Sequence, residues 1–96
     1  MSAATQIHIV KLEQDNCMPC KALSFTINAN MDVIAEAGAT IETHNVTHEP
    51  ELIEKYGISG TPTLIFYRNG VEMTRLAGKA AFAEVLDAID YAKEAR

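Results

Sequence analysis

The chain shows two kinds of hydrophobic pattern, and the change of period marks its secondary structure. Short runs of β-branched and aliphatic residues between turn signals predict four strands, at residues 6–12, 40–46, 63–68 and 71–77. Apolar residues that recur every three or four positions predict three helices. The first begins near Pro19, the second begins near Glu49, and the third lies around Val85. The predicted order is strand, helix, strand, short helix, hairpin and helix.

The first predicted helix has the clearest apolar stripe. Four residues lie four, four and three positions apart, which puts them on one face of a helix: Leu23, Ile27, Met31 and Ile34. Pro19 suits the first turn because its missing N–H would be unpaired there. We therefore expect one continuous helix that packs its stripe against the sheet.

The order of the elements predicts how the strands pair. A strand–helix–strand connection favours a right-handed crossover and parallel pairing of the first two strands. Asn69-Gly70 fits the positive φ angles of a tight hairpin turn, so the last two strands should be antiparallel. The sequence thus predicts an α/β fold with a mixed four-stranded sheet and helices on both faces. With no repeat or linker-like run, residues 1–96 are expected to form a single domain.

Charge and composition exclude several classes of protein. Eight basic and thirteen acidic side chains give a net charge of −5, whereas binding to nucleic acid needs a concentrated basic face. No apolar run approaches the roughly 20 residues of a membrane-spanning helix. Residues 1–6 lack the basic start and apolar core of a secretory signal. We therefore expect a cytoplasmic protein that binds neither nucleic acid nor membranes.

Two cysteines, Cys17 and Cys20, carry the main chemical signal. A bridge closing so short a loop removes little chain entropy, so its role is expected to be chemical rather than structural. Cys17 precedes the first predicted helix, where unpaired N–H groups and the helix dipole favour a thiolate. Cys20 lies one turn further on, close enough to attack a mixed disulfide formed by Cys17. This placement predicts two-step thiol–disulfide exchange.

Three other interpretations stay open on the residues alone. A closed zinc site needs four ligands, and a formal set exists in Cys17, Cys20, His44 and His48, although the gap from Cys20 to His44 is long for a small finger. Two buried cysteines without chemistry are a second alternative. Pro62 precedes the strongest strand and lacks the N–H of a central strand, so it marks either a special, cis bond or merely the start of an edge strand.

Several motifs together resemble the thioredoxin family. The matching stretches are Cys17-Met18-Pro19-Cys20-Lys21, Glu54-Lys55-Tyr56-Gly57-Ile58-Ser59-Gly60-Thr61-Pro62-Thr63-Leu64 and Tyr67-Arg68-Asn69-Gly70, followed by Gly78. Their order and separations match from Gln6 onward, and their joint occurrence is far more specific than any one of them. The chain begins at what resembles the family's central strand, so the usual preceding helix and strand are missing, as in short thioredoxin-like and glutaredoxin-like proteins of phages and archaea.

The resemblance implies a thioredoxin fold and a dithiol–disulfide oxidoreductase in which Cys17 attacks and Cys20 resolves. It implies a Cys17–Cys20 disulfide as the redox centre, with no cofactor and no metal. It further implies that Pro62 is a cis proline facing the cysteines and that the Thr61 backbone pairs with an extended substrate segment. The same substrate-binding surface is expected to include Met18, Pro19 and Gly78.

Two departures from the family concern the surroundings of the cysteines. Asn16 stands where thioredoxins usually have a tryptophan, and Lys11 stands where they bury a proton-accepting aspartate. A lysine near the cysteines would favour thiolates, but we interpret Lys11 as one whose ammonium reaches solvent. Glu13 and Asp15 are candidates for the missing base, although we interpret both as loop charges.

The resemblance also suggests the partners. Met18-Pro19 resembles the proline-containing pairs of reducing thioredoxins, so protein disulfides are the expected substrates. The expected electron donor is a reductase such as thioredoxin reductase, with glutathione as the alternative, because Gly78-Lys79-Ala80-Ala81 lacks the acidic pair typical of a glutaredoxin. Lys21 and Lys79 are interpreted as solvated lysines, with attraction of an anionic ligand as the alternative. We expect a monomer; a non-catalytic adaptor with the same fold is the other alternative.

Four further residues are assigned to the core. His8 lies within an apolar strand and is interpreted as a packed histidine rather than a base. The three phenylalanines are also expected inside, at Phe25, Phe66 and Phe82.

Overall fold

The computed structural model describes residues 6–95. It contains four strands, β1 (Ile7–Glu13), β2 (Ala39–Asn45), β3 (Thr63–Arg68) and β4 (Val71–Ala77). The helices are α1 (Met18–Ala29), α2 (Met31–Glu36), α3 (Glu51–Tyr56) and α4 (Phe82–Glu94). These strands agree with the predicted ones to within one residue at each end.

The four strands form one mixed sheet in the order β2-β1-β3-β4. β1 pairs with β2 in parallel and with β3 antiparallel, so β1 lies inside the sheet. β3 and β4 form the predicted antiparallel hairpin through Asn69 and Gly70, both at positive φ. The predicted mixed sheet is therefore confirmed, and residues 14–17 connect the carboxyl end of β1 to the start of α1.

Alternate residues of β1 face two separate cores on the two sides of the sheet. On one side, Ile7 and Ile9 pack with residues of α1, α2 and α4, among them Leu23 and Ile89. On the other side, Val10 and Leu12 pack with β3 and α3 in a smaller cluster that includes Val46, Leu52 and Ile65. Helices thus cover both faces, as predicted. β1 is therefore buried from both sides, and its carboxyl end leads into the loop before the cysteine pair.

The first helix is not continuous, which corrects one prediction. It breaks at Asn30, whose φ of −129° and ψ of 27° lie outside the helical region, and α2 starts at Met31. The cause is a local competition, because the Asn30 side-chain amide donates to the Thr26 carbonyl across 2.8 Å. Leu23, Ile27 and Ile34 are buried as predicted, but Met31 is half-exposed.

Two core assignments were wrong. Phe25 is 78% exposed because it lies on the outer face of α1, two positions after Leu23. His8 is half-exposed, and its ring contacts Thr40 and Glu42 on the neighbouring strand rather than apolar side chains. The apolar neighbours of His8 in sequence point to the opposite face of the sheet. Phe66 is fully buried, as expected, and Phe82 packs against the larger core.

Candidate active site

Cys17 and Cys20 form a disulfide at the amino end of α1. Cys17 is the N-cap residue, with an extended backbone at φ −114° and ψ 101°. Its sulfur accepts a hydrogen bond from the Cys20 backbone amide across 3.2 Å. The sulfur therefore takes the place that a serine or aspartate oxygen takes in an ordinary N-cap. Pro19 lies in the first turn, where its missing N–H costs no helical hydrogen bond.

A tight loop, residues 14–16, connects the end of β1 to Cys17. Asn16 has a φ of +58°, the left-handed region that asparagine tolerates better than most residues. The loop is fixed to the end of β2, because the Asp15 amide donates to the Thr47 hydroxyl and the Asn45 side chain donates to the Asp15 carboxylate. Asn16 thus has a conformational role at the position where the family usually has tryptophan.

The Thr61–Pro62 peptide bond is cis and lies against the cysteine pair. The Thr61 hydroxyl is 3.7 Å from the Cys17 sulfur, and the Thr61 carbonyl oxygen is 3.8 Å from it. Gly78, at a φ of +88°, donates its N–H to the Pro62 carbonyl across 2.7 Å. The cis bond and the approach of Pro62's loop to Cys17 agree with what the resemblance implied.

The remaining predicted site residues differ in accessibility. Met18 is 72% exposed at the first position of α1, and Pro19 and Lys21 are also exposed. In contrast, Cys17 and Cys20 are almost completely buried. The disulfide therefore lies under a rim that is apolar at Met18 and polar at Thr61.

Lys11 is buried, which overturns the interpretation that its ammonium reaches solvent. Its side chain is only 4% exposed, and its ammonium donates to the Ser24 hydroxyl across 2.6 Å and to the Glu13 carboxylate. The Ser24 hydroxyl also donates to Glu13, across 3.2 Å. Glu13 is the last residue of β1 and is half-buried. The expectation that it is a loop charge was therefore wrong.

This Lys11–Glu13–Ser24 network lies beside the disulfide. A groove of about 650 Å³ is lined by Glu13, Cys20 and Ser24, with Lys21 and Phe25 along α1. Sequence reasoning missed Ser24, although a signal exists, because residues four apart on a helix share a face and Ser24 is four after Cys20. Lys11 and Ser24 meet only because α1 packs across β1.

The residues of the zinc alternative are not brought together. Cys17 and Cys20 are bonded to each other, His48 lies near Asp15, and His44 contacts Glu42 and Glu49. Among residues 6–95, no group of three or more His, Cys, Asp or Glu side chains is arranged to hold a metal ion. His44 instead belongs to a network with Glu42, Glu49 and His8. Its hydrogen bond to Glu42 raises the pKa of the imidazole, and the bonds from His44 and His8 lower the pKa of Glu42.

Within the part of the chain that the structure describes, no helix has the length and apolar character needed to cross a membrane.

Comparison with known proteins gives the family. Residues 1–91 match the family model described as Thioredoxin. The SPbeta prophage-derived thioredoxin-like protein YosR of Bacillus subtilis is 34% identical over 73 residues, which cover 75% of this chain and 82% of that protein. A thioredoxin of Chlamydia caviae is 32% identical over 76 residues, covering 78% of this chain and 72% of the relative.

Solved structures agree at the level of the fold. A mutant thioredoxin from Halobacterium salinarum superposes with a TM-score of 0.81 at 21% identity, over 96% of this chain and 79% of that one. A thioredoxin of Fasciola hepatica gives a TM-score of 0.80 at 24% identity, over 93% and 83%. The family model and the relatives match this chain, and its disulfide lies at the amino end of α1. The chain therefore belongs to the thioredoxin family and is a thiol–disulfide oxidoreductase.

Proposed function

We propose that this protein reduces disulfides of protein substrates, with Cys17 as the attacking cysteine and Cys20 as the resolving one. The observation that carries the assignment is the hydrogen bond from the Cys20 amide to the Cys17 sulfur. An amide donor at a helix amino terminus stabilises an anion at that atom, and the thiolate is the nucleophile in disulfide exchange. Cys20 has no such cap, because it lies inside the first turn.

The reaction proceeds in two displacements. The Cys17 thiolate attacks one sulfur of the substrate disulfide, so a Cys17–substrate bond forms and the other substrate sulfur leaves as a thiolate. The Cys20 thiolate then attacks the Cys17 sulfur, and the second substrate thiolate leaves. Two electrons pass to the substrate, and the protein is left with the Cys17–Cys20 disulfide that the structure contains.

The surface around Cys17 supports an extended peptide as the substrate. Thr61 lies beside the Cys17 sulfur and just outside the β3–β4 ladder, which supports strand addition to its backbone. An apolar notch of about 140 Å³ adjoins it, between Val46, Ile53 and Ile58. We assign Thr61, Pro62 and Gly78 to the substrate cradle, and the exposed Met18 and Pro19 to its opposite rim.

We also propose the setting of the reaction. The protein acts as a single cytoplasmic domain and a monomer, without metal or cofactor, and carries electrons from thioredoxin reductase. Glutathione is the alternative donor. Reduction of the oxidised protein by NADPH with thioredoxin reductase, compared with glutathione, NADPH and glutathione reductase, distinguishes the two donors.

Insulin reduction by dithiothreitol, followed by turbidity, tests the proposal. The wild-type protein should accelerate precipitation, and Cys17→Ser should not. In a separate reaction, reduced Cys20→Ser freed of dithiothreitol should accumulate a mixed disulfide with insulin, visible on a non-reducing gel. Lys79→Ala is the matched control, since it changes an exposed residue one position from Gly78 and should leave the rate unchanged. A Cys17→Ser rate equal to that of the wild type would overturn the assignment.

A further inference from the structure

The helix α1 is apolar on two opposite faces. Its inner face packs into the larger core through Leu23 and Ile27. Its outermost residues, which we call the α1 seam, are also apolar and lie four, three and four positions apart: Met18, Ala22, Phe25 and Ala29. All four are exposed, with Met18 at 72% and Phe25 at 78%. A helix that is apolar all round is normally buried, and exposed Met and Phe are typical of protein interfaces. The seam therefore indicates a covering partner.

The spacing of the α1 seam indicates the shape of that partner. Alternating steps of four and three residues are typical of the contact between two packed helices. Large and small side chains alternate along the seam, so Ala22 and Ala29 leave room for a partner's side chains on either side of Phe25. The 12 residues of α1 give about three turns, or about 18 Å. The seam thus fits a second helix better than an extended segment.

One charge flanks the α1 seam. Lys21 is the only charged residue of α1, and it is exposed. It directly precedes a seam residue, which is a position where ion pairs form between packed helices. Among the ion pairs within residues 6–95, none includes Lys21. The two carboxylates that line the neighbouring groove, Glu13 and Asp15, are in ion pairs with other residues. The charge beside the seam therefore fits a carboxylate on the partner helix.

A second copy of this chain does not supply that carboxylate. A symmetric pair uses the same patch on both copies. Because α1 contains no acidic residue, two copies packed seam to seam would place only lysines beside the contact. The occupant that fits is a different protein, with an apolar stripe and an acidic flank on one helix.

The α1 seam starts at the redox centre. Met18 lies between the two cysteines in sequence, so a protein whose disulfide reaches Cys17 also comes close to Met18. A partner helix held along the seam would keep one of its ends beside Cys17. Such tethering raises the effective concentration of a cysteine at that end, as a second binding contact does in any linked pair.

We propose that the α1 seam docks an amphipathic helix of the protein substrate, with an apolar stripe over Phe25 and a carboxylate opposite Lys21. This proposal rests on the function proposed above and names the class of protein that the site accepts. The seam adds a contact to the cradle at Thr61 and Pro62, which takes the extended segment around the substrate's cysteine. The two displacements at the cysteines are unchanged.

Peptide disulfides test the α1 seam. The probe is a synthetic helical peptide with leucines at the same four-three-four spacing, glutamates on its flanks and a terminal cysteine joined to 2-thiopyridine. When Cys17 of the reduced protein attacks the peptide sulfur, a Cys17–peptide disulfide forms and thiopyridine leaves, which absorbance follows. A control peptide carries glutamine in place of each leucine. The wild-type protein should react at least about tenfold faster with the leucine peptide, because burying one large apolar side chain is worth that much.

The variant Phe25→Ser assigns this preference to the α1 seam. Its rates with the leucine and glutamine peptides should agree to within about twofold, because the largest apolar surface of the seam is gone. Its rate with 4,4′-dithiodipyridine, a small neutral disulfide, should equal that of the wild type, since Phe25 lies about two turns along α1 from Cys17. An unchanged preference for the leucine peptide in Phe25→Ser would overturn the proposal.

Exchange of charge tests Lys21. The ratio of the rates with glutamate-flanked and lysine-flanked leucine peptides should fall by about threefold or more in Lys21→Glu, and less at high salt. Because both peptides react with the same variant, a change in the reactivity of Cys17 cancels from the ratio. Lys55→Glu is the matched control, since it changes the net charge equally on α3, across the sheet from α1. Equal falls in the two variants would overturn the role of Lys21.

The remaining outcomes separate the α1 seam from the chemistry. Equal rates of the wild type with the leucine and glutamine peptides would overturn the seam and leave the proposed function intact. A Cys17→Ser variant as fast as the wild type with 4,4′-dithiodipyridine would overturn the proposed function itself. Sedimentation of the wild-type protein alone tests the other occupant. A dimer that Phe25→Ser dissociates would show that a second copy covers the seam, and it would overturn the proposal.

Discussion

The backbone amide of Cys20 lies 3.2 Å from the Cys17 sulfur and donates to it, so the backbone of one cysteine sets the environment of the other's sulfur. The donor belongs to the helix that Cys17 caps. This one contact makes the two sulfurs chemically different although they are three residues apart.

The first prediction concerns this difference. In the reduced protein at pH 7, iodoacetamide should modify Cys17 at least about tenfold faster than Cys20, because the cap favours the thiolate of Cys17. Tandem mass spectrometry of the peptide containing both cysteines measures the two sites. Cys20→Ser should keep the fast modification of Cys17, and Cys17→Ser should leave only slow modification. Equal rates at the two sites would contradict the proposed order of attack.

The second prediction concerns the buried lysine. Glu13→Ala should lower the free energy of unfolding by about 3 kcal/mol, because it leaves the Lys11 ammonium buried without an anion. Lys11→Met should cost less than about 1 kcal/mol, because it removes the charge, keeps the apolar stem, and leaves a carboxylate that can reach solvent. Urea denaturation measures both. In the double variant Lys11→Met/Glu13→Ala, most of the loss should disappear; costs that simply add would contradict this account.

The third prediction separates two phenylalanines that look alike in sequence. Phe66→Ala should destabilise the protein by about 3–5 kcal/mol, because the side chain is fully buried in the larger core. Phe25→Ala should change stability by less than about 0.5 kcal/mol, because most of its ring is exposed. Thermal unfolding of the two variants provides the comparison. A large loss for Phe25→Ala would mean that the outer face of α1 is covered.

The fourth prediction concerns pH and the edge strand. The raised pKa of His44 means that its pair with Glu42 stabilises the fold fully below the ordinary histidine value of about 6.5. This contribution is lost as the pH rises through the raised pKa. On the acid side, the lowered pKa of Glu42 means that its contribution is lost as the pH falls below about 4.3 and through the lowered value.

The variant His44→Asn measures this contribution. The difference in melting temperature between wild type and His44→Asn should be largest near pH 5–6 and should shrink by pH 9. The corresponding difference in the free energy of unfolding should stay below about 1 kcal/mol, because both side chains are partly exposed and screened by solvent. His48→Asn is the control, because His48 lies near Asp15 rather than Glu42. A difference that grows towards pH 9 would have the wrong sign.

Much of the fold could be read from local pattern. The apolar run in β3, the Asn69-Gly70 turn and the stripe of α4 each reflect a local preference, and the structure agrees with them. The predictions failed where a residue's neighbours in space differ from its neighbours in sequence. Phe25 was assigned to the core because it is a large apolar residue, but it lies on the outer face of α1. Asn30 breaks the helix because its side chain competes for the Thr26 carbonyl.

The sequence by itself determined the positions of the cysteines, the proline and the main elements, because these depend on spacing, period and turn chemistry along the chain. Only the tertiary structure decided what surrounds Cys20. Lys11, Glu13 and Ser24 lie on two elements, and they form one network because α1 crosses the end of β1. A charge on a strand can be buried or solvated with the same sequence pattern, and the packing of the helix over it decides between the two.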